Sequence, residues 1–276
     1  MRPEDLREQG FCQIPGLLDP AFVQKLRNEA DRVAEQWDNS SNRDNFTAQG
    51  SMVSVPELRE PCFGELIAHP DVLAALEGLG LTDVTFTDGY VISKPGPSPR
   101  LFWHFDWYGW EHESAYAEEP VQFSLMYYLV DTRRENGCLR VIPGSHRTRH
   151  PIHDLMADGH RALGGATELE RPEFQDWPDE IDVPVSAGDA LVVDARLLHA
   201  AHANTTEERR GLNPWWYKPN YTGLPDAVKA TLLAKTQSVP KTWPDDVRAQ
   251  VMALNPGRQV GQVAPLSRTV TGPRSR

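Results

Sequence analysis

From Val84 onward the chain falls into short runs rich in Val, Tyr, Phe and Ile, separated by Pro, Gly and Asp: Val84–Thr87, Tyr90–Ser93, Val121–Val130, Leu139–Ile142, Asp182–Val185, Ala190–Leu198 and Leu212–Tyr217. This succession predicts an antiparallel β-barrel or double-sheet jelly roll over about 84–217. Helical patterning flanks it on both sides. Phe22, Val23, Leu26, Ala30, Val33 and Ala34 recur at helical spacing between Pro20 and Trp37, behind an Asp19-Pro20 start suited to N-cap and N1. A shorter helix is expected from Asp71 to about Leu79, ended by Gly80, and helices return at Ala227–Leu233 and Pro244–Leu254. The fold class expected is therefore mainly β with flanking helices.

No internal repeat or composition break divides the chain, so a single domain over 1–276 is expected. Its helical parts lie at 20–80 and 220–254. The tail, 255–276, carries Arg258, Arg268, Arg274 and Arg276 and no acidic residue, and reads as a solvated, flexible terminus.

Charge and cysteine content narrow the partners. Lys and Arg number 28 against 39 Asp and Glu, and a net charge of -11 repels a phosphate backbone, so no nucleic-acid partner is expected. Cys12, Cys62 and Cys138 form no C-x-x-C pair, which argues against a disulfide framework and a thiolate zinc site and points to a reducing cytoplasm. The amino terminus, MRPEDLREQGF, is charged, and the longest apolar stretch contains Gln122 and Ser124, so no membrane span is expected. The pattern sets no oligomeric state.

The sequence H-x-D occurs twice. His69-Pro-Asp71 opens an expected helix, where Pro70 and Asp71 suit the first turn. His104-Phe-Asp106 instead lies in the β-rich segment Arg100–Trp110. Residues i and i+2 of a strand share a face, so His104 and Asp106 can offer an imidazole and a carboxylate to one ion. A second histidine would complete a two-histidine, one-carboxylate site with three open positions, which suits Fe(II) binding a cosubstrate and O2 together. The candidates are His199 and His202. Continuous strand parity groups Leu191, Val193, Ala195, Leu197 and His199 on one apolar inward face, which favours His199; His202 has the opposite parity. Eleven residues after His199 comes Arg210. A guanidinium inside a barrel requires a carboxylate partner, and the distal carboxylate of 2-oxoglutarate is one such group, held by a forked, charge-assisted contact. Arg209 is the neighbouring competitor, with opposite parity.

Taken with Asn136-Gly-Cys-Leu-Arg-Val-Ile-Pro-Gly-Ser-His146 and with Asn204, these residues resemble the phytanoyl-CoA hydroxylase-like branch of the Fe(II)/2-oxoglutarate dioxygenases, from about Gly10-Phe11 to Tyr217. The resemblance implies a double-stranded β-helix, a cupin-like jelly roll, with His104, Asp106 and His199 as catalytic iron ligands and Arg210 on the cosubstrate. It further implies Lys94 near the cosubstrate path, Tyr90 and Met126 lining it, and a turn shaped by Ser145 and His146. Where the family often has Ser two residues past the distal histidine, this chain has Ala201, so one hydroxyl contact to 2-oxoglutarate is missing. Halogenating relatives replace the carboxylate of the H-x-D pair. Its retention as Asp106 implies oxygen transfer to a C–H bond, with 2-oxoglutarate and O2 converted to succinate and CO2.

The expected function is hydroxylation of a small molecule. Alternatives are the same centre ending in desaturation, cyclisation or demethylation, or a cupin-like metal binder without turnover, against which Arg210 argues. A zinc hydrolase is disfavoured because no general base or nucleophile motif accompanies the ligands. Trp103, Trp107, Trp110, Trp215 and Trp216 flank the site in sequence, and Trp107 and Trp110 are the candidate substrate contacts, with core packing as the alternative. The acidic loop Glu111–Glu119 is either a lid or a solvated loop, and it disfavours a strongly anionic acyl-CoA substrate.

Overall fold

The computed structural model describes residues 2–38, 50–107, 109–156, 169–207, 210–218, 223–255, 257, 263–264, 266 and 272–274, with side chains at 37–38, 51 and 210–218 outside the description. In chain order the helices are α1 (Pro3–Gln9), α2 (Pro20–Asp38), α3 (Cys62–Ile67), α4 (Pro70–Gly78), α5 (Pro151–Leu155), α6 (Asp226–Leu233) and α7 (Asp245–Leu254). The strands are β1 (Phe11–Ile14), β2 (Ser51–Ser54), β3 (Thr85–Lys94), β4 (Leu101–His104), β5 (Phe123–Tyr128), β6 (Leu139–Val141), β7 (Ile181–Val183), β8 (Ala190–Asp194), β9 (His199–Ala201) and β10 (Arg210–Lys218). Among the described residues they form two antiparallel sheets, ordered β1-β8-β5-β10-β3-β2 and β4-β9-β6-β7, a jelly-roll core.

Alternation along the strands divides the apolar residues between two cores. Leu125 and Tyr127 of β5 and Val192 of β8 pack outward against Leu26 and Ala30 of α2, Phe63 and Leu66 of α3, Leu76 of α4 and Val251 of α7. Met126 and Tyr128, with Leu191 and Val193, face the other way and meet Leu139 and Val141 of the smaller sheet. Each buried Leu, Val or Phe contributes roughly 1.5–3 kcal/mol relative to an exposed one, so a slip of one residue in β5 or β8 would forfeit both cores at once. The carboxy-terminal extension belongs to the outer core: Trp243 donates Nε1–H to Leu58 O at 2.9 Å. Gly64 permits this approach, because a Cβ there would stand 2.5–2.8 Å from Val247 and the Trp243 ring.

Two expected boundaries move. Val84–Thr87 and Tyr90–Ser93 are one strand, β3, despite Asp88-Gly89, because β10 and β2 supply ladder partners on its two sides. Conversely, the continuous strand expected over Ala190–Leu198 breaks. Asp194 Oδ1 accepts from Arg196 N at 2.8 Å and Arg196 Nε at 2.9 Å, and Leu197 N donates to Asp194 O. This turn transfers the chain from the larger sheet to the smaller, so parity does not connect Leu191 to His199. The short elements α1, β1, β2, α3 and α5 were not expected. No helix among the described residues is long and apolar enough to cross a membrane.

Candidate active site

β4 ends on His104 and β9 begins on His199, and the two are direct partners in the antiparallel register. Their ring centroids lie 4.1 Å apart. Asp106 follows two residues after His104, where Asp106 N and Trp107 N both donate to Ala195 O at 2.7 Å. Ala195 belongs to the β8–β9 turn, so the segment that carries the carboxylate is tied to the segment that delivers His199. One ligand atom each from His104, Asp106 and His199 lies within 4.8 Å of the others, and Asp106 Oδ2 stands 3.5 Å from His199 Nε2.

Hydrogen bonding fixes the imidazoles. His104 Nδ1 meets Phe102 O, and His199 Nδ1 meets Leu197 O, each at 3.0 Å. A carbonyl only accepts, so both Nδ1 atoms carry hydrogen and Nε2 is the ring atom of each that can ligate a cation. The histidines are 5 % and 4 % exposed, whereas the Asp106 side chain keeps 15 %. Two imidazoles and one carboxylate converging from one side match a divalent transition metal that retains open positions.

His202 belongs elsewhere. Its Nε2 lies 2.6 Å from Asp182 Oδ1, while Arg134 Nε donates to Asp182 Oδ2 at 2.9 Å. Burial alone raises the Asp182 carboxyl, but hydrogen bonds from Arg134 and His202 outweigh it and hold the group below the usual carboxylate range. Cys138 also lies within 4.8 Å of this pair. Both Asp182 oxygens are engaged, so the cluster works as a hydrogen-bonded brace that pins β7 to the end of β9.

The remaining expected residues are distributed as follows. Lys94 closes β3, is 1 % exposed, and is the register partner of Arg210, the first residue of β10; the Arg210 side chain and Arg209 lie outside the described residues. Tyr90 shares the alternating face of β3 with Ile92, which packs against the cluster between the sheets. Burial first, then the charges of Asp88 and Asp106, push the Tyr90 phenol up to about 12. Met126 is buried in the cluster between the sheets. Trp107 and Trp110 are buried in a separate apolar cluster with Trp103, Phe105, Ile152 and Val228, where Trp110 stands edge-on to Phe105 at 5.6 Å. The acidic loop is tied down, for Arg196 Nη1 donates to Ala115 O and Ala117 O.

Sequence reasoning gave Arg196 and Gln237 no role and Ser145 only a place in a turn. Arg196 and Asp194 form a buried ion pair at 2.6 Å that holds the turn before His199; the local signal is Asp-x-Arg, an Asx-turn pattern hidden inside an apolar run. Ser145 Oγ accepts from Leu198 N at 2.9 Å, so the expected turn of the Pro-Gly-Ser-His segment bears directly on the residue before the distal histidine. Asn204 has a comparable bracing role: its backbone exchanges hydrogen bonds with Ser98, and its Oδ1 accepts from Thr206.

Residues 6–212 match the model of the family described as Phytanoyl-CoA dioxygenase (PhyH). An ectoine dioxygenase of Halomonas elongata is 32% identical over 227 residues, 75% of this chain and 66% of that protein. Among solved structures, the α-ketoglutarate-dependent epimerase SnoN from nogalamycin biosynthesis, in complex with Fe3+, α-ketoglutarate and nogalamycin RO, has a TM-score of 0.58 at 22% identity, over 99% of this chain and 94% of that one. The carbocyclase SnoK from the same biosynthesis has a TM-score of 0.55 at 24% identity, over 79% and 82%. The structural likenesses establish the jelly roll, and the sequence match establishes descent: the chain belongs to the phytanoyl-CoA dioxygenase family.

Proposed function

We propose that this protein is an Fe(II)- and 2-oxoglutarate-dependent oxygenase that hydroxylates an unactivated C–H bond of a small molecule, consuming O2 and releasing succinate and CO2. The observation that carries this reading is the convergence of His104, Asp106 and His199 within ligand distance of one point, with each imidazole oriented by its Nδ1 contact. His104 and His199 would hold iron through Nε2, and Asp106 through a carboxylate oxygen. Bound there, iron and its keto-acid cosubstrate supply the oxidising chemistry.

The chain's own residues do the rest. Asp106 keeps a ligand position as carboxylate and so denies it to halide, which favours oxygen transfer. Lys94 and Arg210, register partners at the ends of β3 and β10, are assigned to the distal carboxylate of 2-oxoglutarate, with Tyr90 and Met126 along its flank. Ala201 supplies no hydroxyl there, which leaves more of the anchoring to these cations. Leu139, Leu191 and Val193 keep water from the space between the sheets. Trp107 and Trp110, buried in the apolar cluster that follows Asp106 in the chain, are kept as the candidate substrate-side residues.

The test is a candidate-substrate screen read by succinate formation and product mass. A product heavier by one oxygen supports hydroxylation. A product lighter by two hydrogens, or an isomer of equal mass, points to the outcomes for which SnoK and SnoN are named, and overturns the hydroxylase reading while keeping the centre. Anaerobic Fe(II) and 2-oxoglutarate should also give a visible metal-to-ligand absorption; its absence in intact protein overturns the cosubstrate assignment.

A further inference from the structure

A second set of potential ligands gathers at the ends of β6 and β9. Leu139 pairs with Ala201 and Val141 with His199, and one step beyond that ladder His202 N donates to Cys138 O at 3.1 Å, which sets Cys138 opposite His202. On the other side of β6, Asp182 of β7 pairs with Arg140, two residues along from Cys138. Alternation therefore puts Cys138, Asp182 and His202 on one face of the smaller sheet. Leu139, Val141 and Val183 take the opposite face, in the cluster between the sheets, and His199, as the register partner of Val141, shares it. The two ligand sets thus lie on opposite faces.

One ligand atom each from Cys138, Asp182 and His202 lies within 4.8 Å of the other two. Cys138 is 0 % and His202 4 % exposed, whereas the Asp182 side chain keeps 31 %, so the group opens to solvent through its carboxylate. Arg134 Nε donates to Asp182 Oδ2 at 2.9 Å and its Nη2 reaches Oδ1 only at 3.5 Å, while Oδ1 is turned to His202 Nε2 at 2.6 Å. Outer partners of this kind orient ligating carboxylates in metal sites. Tetrahedral zinc with ligands at about 2.0–2.3 Å spaces the ligand atoms about 3.3–3.7 Å apart, so the Asp182–His202 contact would open by about 0.7 Å to admit it.

We propose that Cys138, Asp182 and His202 form a second metal site, selective for zinc and separate from the iron centre. Zn2+ displaces the hydrogen between His202 Nε2 and Asp182 Oδ1, the Cys138 thiol releases its proton to solvent, and water completes the tetrahedron. A thiolate beside imidazole and carboxylate favours zinc, whereas two imidazoles and a carboxylate with open positions suit Fe(II). The ion cross-links β6, β7 and the end of β9. Cysteine spacing gave no sign of such a site, because its three ligands come from separate strands.

Anaerobic titration of the full chain with Co(II), a spectroscopic stand-in for zinc, tests it. The His104, Asp106 and His199 set has no sulfur, so a thiolate-to-cobalt charge-transfer absorption in the near ultraviolet reports the Cys138 site alone. We expect that absorption to saturate at one Co(II) per chain in wild type and in His199→Ala, and to bleach when Zn2+ is added. Cys138→Ser should abolish it, and Asp182→Asn and His202→Ala should each weaken the Co(II) binding it reports by more than about 10-fold, while Fe(II) affinity stays near wild type. No absorption in wild type overturns the proposal whether or not the variants fold. Absorption that persists in C138S assigns the sulfur to Cys12 or Cys62 and overturns it as well. So do zinc that fails to bleach the signal, unchanged Co(II) affinity in D182N, and loss of the signal in H199A, which would make the two sites one.

Discussion

His104 and His199 face each other across one antiparallel pair, and each donates Nδ1–H to the carbonyl two residues upstream. The same local device thus sets the tautomer of both rings. His104→Ala or His199→Ala should weaken Fe(II) binding by more than about 100-fold, beyond the range for losing an outer hydrogen-bond partner. His202→Ala, which breaks the Asp182 contact, should leave it near wild type. Metal titration under anaerobic conditions distinguishes these, and loss of binding in H202A with retention in H199A would reverse the assignment. Chelation should lower the thermal midpoint of wild type, since ligand at about 100 times its Kd contributes about 2.7 kcal/mol to stability. The H104A variant should show no such metal response.

Arg196 and Asp194 are each 1 % exposed and paired at 2.6 Å. Arg196→Met would strand a buried carboxylate and release the carbonyls of Ala115 and Ala117. The expected loss is about 3–5 kcal/mol in urea unfolding, together with weaker Fe(II) binding, because Ala195 O and Leu197 O both belong to this turn. A loss under about 1 kcal/mol would mean that the turn holds without its ion pair.

The metal ligands were legible because His104 and Asp106 are local to one strand end and alternation alone aligns them. His199 was reached by a different route from the one the chain takes. Parity along a continuous strand pointed to it, whereas the chain turns at Asp194 and His199 is oriented by pairing with β4. Apolar periodicity cannot register such a turn, since Ala195, Leu197 and Leu198 are buried in either path. The helices α2, α4, α6 and α7 were legible because each carries a long enough apolar repeat. The four-residue strands β1 and β2 were not, for they exist through partners remote in sequence, β8 and β3. Gln237 was invisible for the same reason: nothing local marks a glutamine that bonds Gly89 across the fold.

Ser145 offers a finer probe of the distal histidine. Ser145→Ala removes the acceptor of Leu198 N–H, and an unsatisfied buried donor costs about 1–3 kcal/mol. Because Leu198 precedes His199, Fe(II) affinity should fall by about 10-fold, at the lower end of the effect of losing a group that orients a ligand. Ser145→Thr keeps the hydroxyl and should restore most of both quantities. Equal Fe(II) affinity in all three proteins would confine Ser145 to stability.

His153 predicts a pH dependence separate from the metal centre. It is 2 % exposed in α5, near the rings of Phe105 and Trp110. Burial lowers its pKa to about 4; the carbonyl of His150 and the charge of Asp154 oppose that fall, and Arg149 and His150 assist it. In the unfolded chain the imidazole titrates near 6.5. Between these values the unfolded state binds the proton and the native state does not. The contribution to stability is therefore complete above the unfolded pKa and is lost as pH falls toward about 4, at up to about 1.4 kcal/mol per pH unit. His153→Gln keeps a side-chain oxygen at N3 to accept from His150 N, as His153 Nδ1 does at 2.9 Å. The variant should be less stable at about pH 8, through lost ring packing, yet should lose less on acidification to about pH 5. Urea unfolding at the two pH values measures the difference. His146, also lowered chiefly by burial, remains in both proteins and supplies the residual slope, so a variant with the full wild-type pH slope would transfer the acid sensitivity from His153 to His146.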